Sequence, residues 1–194
     1  IYGTIQGLKI DRETGENITG ALFGLFGINE TEFTEETAIL TAESNEEGIF
    51  TFENVPYGEY IVRELKPAEG YLPNEENYQA TVSEDEEVIE ITVENDKIPE
   101  LKTTAAIDGK KEVGATEVFT LEDVITYKHL VPGKEYTVKG VLMDKSTEKE
   151  LLIDGKKITS EVKLIPEEPT GEVIVSFELD ARYIKKDTDI VVFE

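Results

Sequence analysis

The sequence contains no cysteine and no tryptophan, and only one methionine and one histidine, His129. Without cysteine the chain can form neither a disulfide nor a thiolate metal site, and thiol catalysis is excluded. A single histidine also removes most of the parts of a histidine-based zinc site or a Ser-His-Asp triad. We therefore expect no metal site, no cofactor and no enzymatic chemistry based on thiol or imidazole.

Basic residues are scarce as well. The 194 residues include 43 acidic and 19 basic side chains, which gives a formal net charge of −24. A surface of this sign repels phosphate backbones and anionic lipid, so we expect no nucleic-acid partner and no direct membrane insertion. No apolar run is long enough to cross a bilayer. Neither a secretory signal nor a hydrophobic anchor is recognisable, which is expected of a mature or excised fragment.

Short segments rich in β-branched and aromatic residues recur along the chain, separated by turns rich in Gly, Pro, Asn and Asp. One series runs from TIQGLKI to VIEITVEN and a second from LKTTAAI to DIVVFE. No segment keeps a helical period over three turns. The pattern predicts an all-β chain of two tandem sandwich domains, immunoglobulin-like or prealbumin-like, covering residues 1–98 and 99–194.

Three polar residues of the first half occupy positions where the strand pattern expects apolar side chains. Glu64 shares a strand face with Tyr60 and Val62, and Asn95 falls in an apolar phase of the last strand. Lys9 does the same in the first strand, although its apolar neighbours make that phase less definite. A buried charge is costly unless it is paired or neutralised, so these residues are candidates for one buried cluster.

Two interpretations of this cluster are open. In the first, Lys9 and Glu64 form a buried ion pair that Asn95 supports by hydrogen bonding, or the three lie at strand ends that meet water. In the second, desolvation leaves both the amine and the acid uncharged. The neutral Lys9 amine then attacks the Asn95 side-chain carbonyl, while a protonated Glu64 polarises that carbonyl and relays protons to the departing ammonia.

The motifs around these residues resemble those of a known family. GLKIDRETGENITGALFGLF, GIFTFENVPYGEYIVRELKPAEGYL and ITVENDK resemble, in that order, the CnaB or SpaA-like B-type domains of Gram-positive adhesins and pilins. The resemblance covers almost all of residues 1–98. It implies Lys9 as the amine, Asn95 as the acyl donor and Glu64 as the catalytic acid of an isopeptide bond. Leu65 departs from the Thr or Val usual in the family.

The second half also places polar residues in apolar phases: Thr103 in LKTTAAI, Asp123 in LEDVITY and Glu194 in DIVVFE. An ordinary explanation exists for each of them. Threonine is common in strands, Asp123 can end a turn, and Glu194 is the last residue of the sequence.

LKTTAAIDGKK, EDVITYKHLVPGKEYTVKGVLMDKSTEKELL and GEVIVSFELDARYIKKDTDIVVFE together resemble the VaFE-type repeats of Gram-positive adhesins. That resemblance implies an ester bond between Thr103 and a Gln on the last strand. Asp123 would be the activating acid or base and Glu194 a supporting carboxyl. The segment with the partner Gln is absent, so we expect a domain that lacks its C-terminal strand, with strand swapping or capture of a strand in trans through residues 99–194.

The resemblances imply a structural stalk or shaft module of a cell-wall-anchored adhesin or pilus, extracellular on a Gram-positive bacterium. Its partners would be the neighbouring stalk domains and a host surface or matrix protein. Because the cross-linking is a single self-modification without turnover, the protein is not classed as an enzyme. The alternative is a ligand-binding adhesin domain that recognises a host matrix protein such as collagen, for which GINETEFTEETAILTAESNEEG is the candidate segment; a hairpin with a polar loop explains that segment equally well.

Overall fold

The computed structural model of the chain describes residues 1–104, 118–180, 183–184 and 190–193. The chain divides into two compact units, Ile1–Ile98 (unit 1) and Pro99–Glu194 (unit 2). In both units the described residues lie mainly in β-strands and the segments that connect them. Within the described residues, no helix has the length and apolar character needed to cross a membrane.

Unit 1 contains seven strands. They are β1 (Tyr2–Asp11), β2 (Leu22–Gly27), β3 (Leu40–Glu43), β4 (Ile49–Pro56), β5 (Gly58–Lys66), β6 (Tyr78–Val82) and β7 (Val88–Asn95). One sheet has the order β4-β1-β7 and the other the order β3-β2-β5-β6. The first strand is therefore central in its sheet. It pairs antiparallel with β4 and parallel with β7, the last strand of the unit.

Aromatic rings fill the space between the two sheets of unit 1. Phe23 of β2 stacks on Phe50 of β4, with ring centroids 3.7 Å apart and planes inclined by 7°. The Phe50 ring lies over Gly7 of β1, where an added Cβ would come within 1.9 Å of the ring. The glycine is required because the ring occupies the position of its side chain. The core next to Lys9 is consequently apolar and tightly packed.

The alternation of polar and apolar residues does not predict β2, because this strand is buried on both faces. Its outer face is covered by residues 28–39, where Phe33 meets Phe26 edge to face at 5.0 Å. Arg63 of β5 lies over the same Phe33 ring at 4.6 Å. The candidate binding insertion thus contributes an aromatic side chain to the packing of its own domain.

The described residues of unit 2 form nine strands, most of them short. They are β8 (Glu100–Thr104), β9 (Val118–Lys128), β10 (Tyr136–Asp144), β11 (Lys149–Glu150), β12 (Leu152–Ile153), β13 (Lys156–Lys157), β14 (Thr159–Leu164), β15 (Gly171–Asp180) and β16 (Ile190–Phe193). One sheet has the order β15-β9-β8 and another the order β11-β10-β14, with β16 also paired to β10. Its core is formed by Leu121, Ile125, Leu142, Phe177 and other apolar residues.

The first strand of unit 2 differs from that of unit 1 in its surroundings. Among the described residues β8 pairs only with β9, so it is the edge strand of its sheet. The last described strand, β16, pairs with β10 in the other sheet. In unit 1 the first strand instead has two partners, β4 and the parallel strand β7.

Candidate cross-linking sites

Lys9 is completely buried, with 0% of its surface exposed. Alternate residues of β1 point into the sandwich, and Lys9 belongs to the inward set. The structure therefore resolves the uncertain phase of this strand in favour of an inward lysine. Its Nζ atom donates a hydrogen bond to the Val93 carbonyl of the parallel strand β7 at 3.3 Å. It also lies 3.8 Å from Oε2 of Glu64.

Glu64 reaches Lys9 from the opposite sheet. It lies on β5 and faces inward together with Tyr60 and Val62, as the alternation predicts. Only 7% of the residue is exposed. The carboxyl group therefore crosses the interior of the sandwich and meets both strands that carry the other two members of the cluster.

Asn95 completes the cluster at the end of β7. Its Nδ2 atom donates to both carboxyl oxygens of Glu64, at 2.9 and 3.1 Å, and to the Leu72 carbonyl at 3.0 Å. Its Oδ1 atom is buried and has no hydrogen-bond partner among the described residues. The reaction expected from the sequence has Glu64 polarising the carbonyl oxygen of Asn95. The structure instead places the Glu64 oxygens against the nitrogen of the amide, which is the leaving group of that reaction.

Burial changes the acid–base behaviour of Lys9. Desolvation lowers the pKa of Lys9 from 10.5 to about 8, although the neighbouring Glu64 carboxyl acts in the opposite direction. At neutral pH the fraction of uncharged amine is therefore a few hundredfold larger than for an exposed lysine, roughly one molecule in ten. Only the uncharged amine carries the lone pair that a nucleophile needs.

Two features of this site are not predicted by the sequence pattern. The first is the segment of residues 67–77, here called the strap, which runs between β5 and β6 across the end of β7. Its Leu72 N–H donates to the Asp96 carbonyl at 2.9 Å, and the Gly70 carbonyl accepts from the Ile98 N–H at 2.9 Å. The Asn74 N–H donates to Oε1 of Glu64 at 3.0 Å. Only the motif PAEGYLPN marks this segment, and it indicates no more than a turn.

The second feature is a buried carboxyl group two residues beyond Lys9 on β1. Asp11 is 1% exposed and accepts hydrogen bonds from the Tyr71 hydroxyl at 2.9 Å and from the Glu13 and Thr14 amides. Lys97 Nζ lies 3.2 Å from Oδ2 of Asp11, the oxygen that also accepts from Tyr71. Desolvation alone raises the pKa of Asp11, but these hydrogen bonds outweigh it and leave the pKa below 3.8. An ionised Asp11 is a poor acyl donor for Lys97, so the geometry describes an ion pair.

In unit 2, Asp123 is completely buried on the inner face of β9. Neither of its carboxyl oxygens has a hydrogen-bond partner among the described residues. Desolvation raises its pKa above 3.8. A buried polar group without partners costs free energy, so Asp123 is the most conspicuous unsatisfied group in the described part of unit 2.

Of the other two residues predicted for the ester site of unit 2, only Thr103 lies among the described residues. Thr103 pairs with Ile125 across the β8–β9 ladder, which puts it on the face of the sheet that carries Asp123. Thr103 is nevertheless exposed, because it lies on the edge strand. It makes no hydrogen bond to Asp123. Glu194 lies outside the described residues.

The described part of the chain contains no group of His, Cys, Asp or Glu residues arranged to hold a metal ion.

Both units are β-sandwich modules with carboxyl groups buried in their cores. Residues 3–97 match the family model of the SpaA prealbumin-like fold domain. Residues 99–194 match that of the T-Q ester bond containing domain. The chain belongs to these two domain families in tandem, which confirms the resemblance and the all-β fold class.

Solved structures show the same fold. The major pilin subunit BcpA of Bacillus cereus is 19% identical with a TM-score of 0.54, and the match covers 99% of this chain and 57% of that one. A single-residue variant of that subunit gives 18% identity, a TM-score of 0.53 and the same coverage. The present chain thus spans a little over half the length of these pilins. No curated protein has a matching sequence.

Proposed function

We propose that the chain is a load-bearing shaft module in which unit 1 ties its first strand to its last by an isopeptide bond between Lys9 and Asn95. The observation that carries this proposal is the buried cluster itself. An amine of lowered pKa and a carboxamide share one carboxyl group, Glu64, inside an apolar core. An ion pair alone would not require the Asn95 amide to be held so closely by Glu64 and Leu72.

The step balances without a co-reactant. The lone pair of the uncharged Lys9 Nζ attacks Cγ of Asn95, and the bond between Cγ and Nδ2 breaks. Glu64 takes a proton from the attacking amine and delivers it to Nδ2, which leaves as ammonia. Glu64 accepts N–H groups from both Asn95 and Asn74, an arrangement that suits a carboxylate acting as this proton relay. One amide replaces another, and no oxidant is needed.

The topology of unit 1 explains the use of such a bond. Because β1 and β7 are parallel, the chain enters unit 1 at one end of this strand pair and leaves at the other. Tension on the chain shears these two strands past each other. A bond from Lys9 to Asn95 carries that tension covalently, so the sequence between the two residues bears no load.

For unit 2 we propose an ester bond formed by the Thr103 hydroxyl with a glutamine side chain, which again releases ammonia. Residues 99–194 contain neither Gln nor Asn, so the acyl donor lies outside residues 99–194. The unoccupied edge of β8, as far as the described residues show it, is the position where a strand with that glutamine would pair, as β7 pairs with β1 in unit 1. Such a strand could come from a longer form of the chain or from another molecule.

We extend the proposal to location and partners. The two solved structures compared above are of the major pilin subunit of Bacillus cereus. We place the chain in the same setting, an extracellular shaft attached to the cell wall, with adjoining shaft domains as its neighbours. The chemistry is one self-modification per molecule, so the protein turns over no substrate.

The intact mass of the purified chain tests the isopeptide bond directly. The unsubstituted chain should be lighter than its sequence by the mass of one ammonia, and a tryptic map should show the peptides of Lys9 and Asn95 joined. Lys9→Ala and Glu64→Ala should have the full mass. Lys97→Ala, which removes the other lysine paired to a buried carboxyl, should remain lighter by one ammonia. A full-mass unsubstituted chain would contradict the proposal.

A further inference from the structure

The strap controls the position of the Asn95 amide from two directions. The Leu72 carbonyl accepts a hydrogen bond from Asn95 Nδ2 at 3.0 Å, while the Leu72 N–H donates to the Asp96 carbonyl at 2.9 Å. One residue of the strap therefore binds both the side chain of Asn95 and the main chain that follows it. The amide cannot rotate about its χ angles without losing a bond to the strap.

Asn74, two residues further along the strap, makes a second connection. Its main-chain N–H donates to Oε1 of Glu64 at 3.0 Å. Its side-chain Nδ2 donates to the Glu94 carbonyl at 3.0 Å and to the Tyr78 hydroxyl at 2.9 Å. Asn74 is the only described residue that holds both the Glu64 carboxyl and the main chain immediately before Asn95. It thereby connects the two sheets at the point where the cluster forms.

We infer that Asn74 is a positioning residue for the Lys9–Asn95 reaction, setting the Glu64 carboxyl against the Asn95 amide. This inference rests on the isopeptide bond proposed above. Proton relay requires donor and acceptor within hydrogen-bond distance, and small displacements of reacting groups cost large factors in rate. If the Asn74 side chain releases the Glu94 carbonyl, the end of β7 loses one of the bonds that fix it relative to Glu64, and the relay geometry is lost in part of the molecules.

The side chain of Asn74 also shapes the strap, and the two roles can be separated. Oδ1 of Asn74 accepts a hydrogen bond from the Glu76 N–H at 2.8 Å, as a turn-forming side chain does. Asn74→Asp keeps this acceptor but cannot donate to the Glu94 carbonyl. Asn74→Ala removes both the bond from the Glu76 N–H and the bond to the Glu94 carbonyl. Asn77→Ala is the matched control, because this exposed strap residue binds the Arg63 side chain and has no bond to the cluster.

The experiment follows the loss of ammonia by intact mass at intervals after cell-free synthesis of the full chain, at pH 7 and at a pH above the Lys9 pKa of about 8. We expect Asn74→Asp and Asn74→Ala to form the bond roughly tenfold more slowly, the factor that corresponds to about 1.4 kcal/mol of barrier. Asn77→Ala should match the unsubstituted chain. The slowing should persist at the higher pH, where Lys9 is uncharged and an effect on its protonation disappears.

Three results would overturn the inference while leaving the isopeptide bond in place. Both Asn74 variants could form the bond as fast as Asn77→Ala. Asn74→Asp could match the unsubstituted chain while Asn74→Ala is slow, which would reduce Asn74 to a turn former. The slowing could vanish above pH 8, which would assign it to the charge of Lys9. If the unsubstituted chain itself never loses ammonia, the proposed function fails. The unsubstituted chain alone gives that result, so it is distinguishable from the three results above.

Discussion

At the scale of single residues, the chemistry proposed for unit 1 depends on what burial does to one amine. Lys9 is enclosed by an apolar core in which Gly7 leaves room for the Phe50 ring. Desolvation favours the uncharged amine, and the nearby Glu64 carboxyl only partly opposes it. The same lysine on the surface would be an inert ammonium group at neutral pH. The reactivity proposed for Lys9 is thus a property of its surroundings.

The rate of bond formation should therefore depend on pH through Lys9. Below a pH of about 8 the uncharged fraction of Lys9, and with it the rate, should fall about tenfold for each pH unit. Above that value the rate should level off. Intact mass measured over time after synthesis at a series of pH values would give this profile. A rate that is constant from pH 6 to pH 9 would contradict the role of the uncharged amine.

The buried carboxyl group of unit 2 gives a stability prediction with a definite sign. Burial raises the pKa of Asp123 above its unfolded value of 3.8, so the folded unit binds the proton more tightly than the unfolded chain. The stability of unit 2 should consequently decrease as the pH rises from 3.8 through the folded-state pKa. Above the folded-state pKa, the Asp123 carboxylate, which has no partner among the described residues, destabilises the folded unit.

Asp123→Asn should remove that penalty. We expect the melting temperature of unit 2 at pH 7 to rise by roughly 4–8 °C, the shift for about 1 kcal/mol in a domain of this size. Below pH 3.8 the variant and the unsubstituted chain should melt alike. Calorimetry of the full chain at both pH values measures this difference. A lower melting temperature for the variant at pH 7 would show that the carboxylate has a partner that stabilises it.

At the scale of secondary structure elements, the first strand of each unit differs in its partners. In unit 1, β1 lies between β4 and β7, and its parallel pairing with β7 brings Lys9 beside Val93 and near Asn95. In unit 2, β8 has one partner among the described residues. An unpaired strand edge presents free N–H and C=O groups that can accept a further strand.

A synthetic strand with one glutamine, taken from the last strand of a complete T-Q domain, should pair with β8. We expect it to raise the melting temperature of unit 2 and to form a covalent adduct with the mass of the peptide less one ammonia. Thr103→Ala should abolish the adduct but not the increase in melting temperature. Thr104→Ala, at the neighbouring threonine, should leave both unchanged. A peptide that has no effect on melting would exclude β8 as its acceptor.

At the scale of the whole molecule, the proposed cross-link would be a mechanical device. A loop closed from Lys9 to Asn95 would include nearly all of unit 1, and by analogy with disulfides of that length it would stabilise the unit by about 4–5 kcal/mol. Because β1 and β7 are parallel, tension would enter at the start of β1 and leave at the end of β7, and the proposed bond would remove the intervening strands from the load path. No cysteine is needed for either effect.

Single-molecule stretching of the full chain should show this directly. With the bond intact, unit 1 should give no unfolding step, and unit 2 alone should extend. Lys9→Ala should add a second unfolding step whose length corresponds to the extension gained when unit 1 unfolds. The step of unit 2 within the same molecule is the internal control. Two steps for the unsubstituted chain would show that unit 1 is not tied across its terminal strands.

The sequence by itself determined the all-β class and the inward direction of Glu64 and Asn95, because the side chains of a strand alternate strictly between its two faces. The bounds of β6 and β7 follow from the same alternation. Lys9 needed its partner strand, since its apolar neighbours made the phase of β1 ambiguous. The strand β2 was not predictable, because burial on both faces leaves no alternation to detect.

Only the tertiary structure decided which groups meet. The sequence pattern does not show that Glu64 lies against the nitrogen of the Asn95 amide, or that Asn74 holds both Glu64 and the Glu94 carbonyl. These contacts depend on how the two sheets and the strap pack against each other. The pairing of β16 with β10, which leaves the edge of β8 open among the described residues, is equally non-local. A local pattern specifies the face on which a side chain lies, but the contact across the core depends on how the sheets pack.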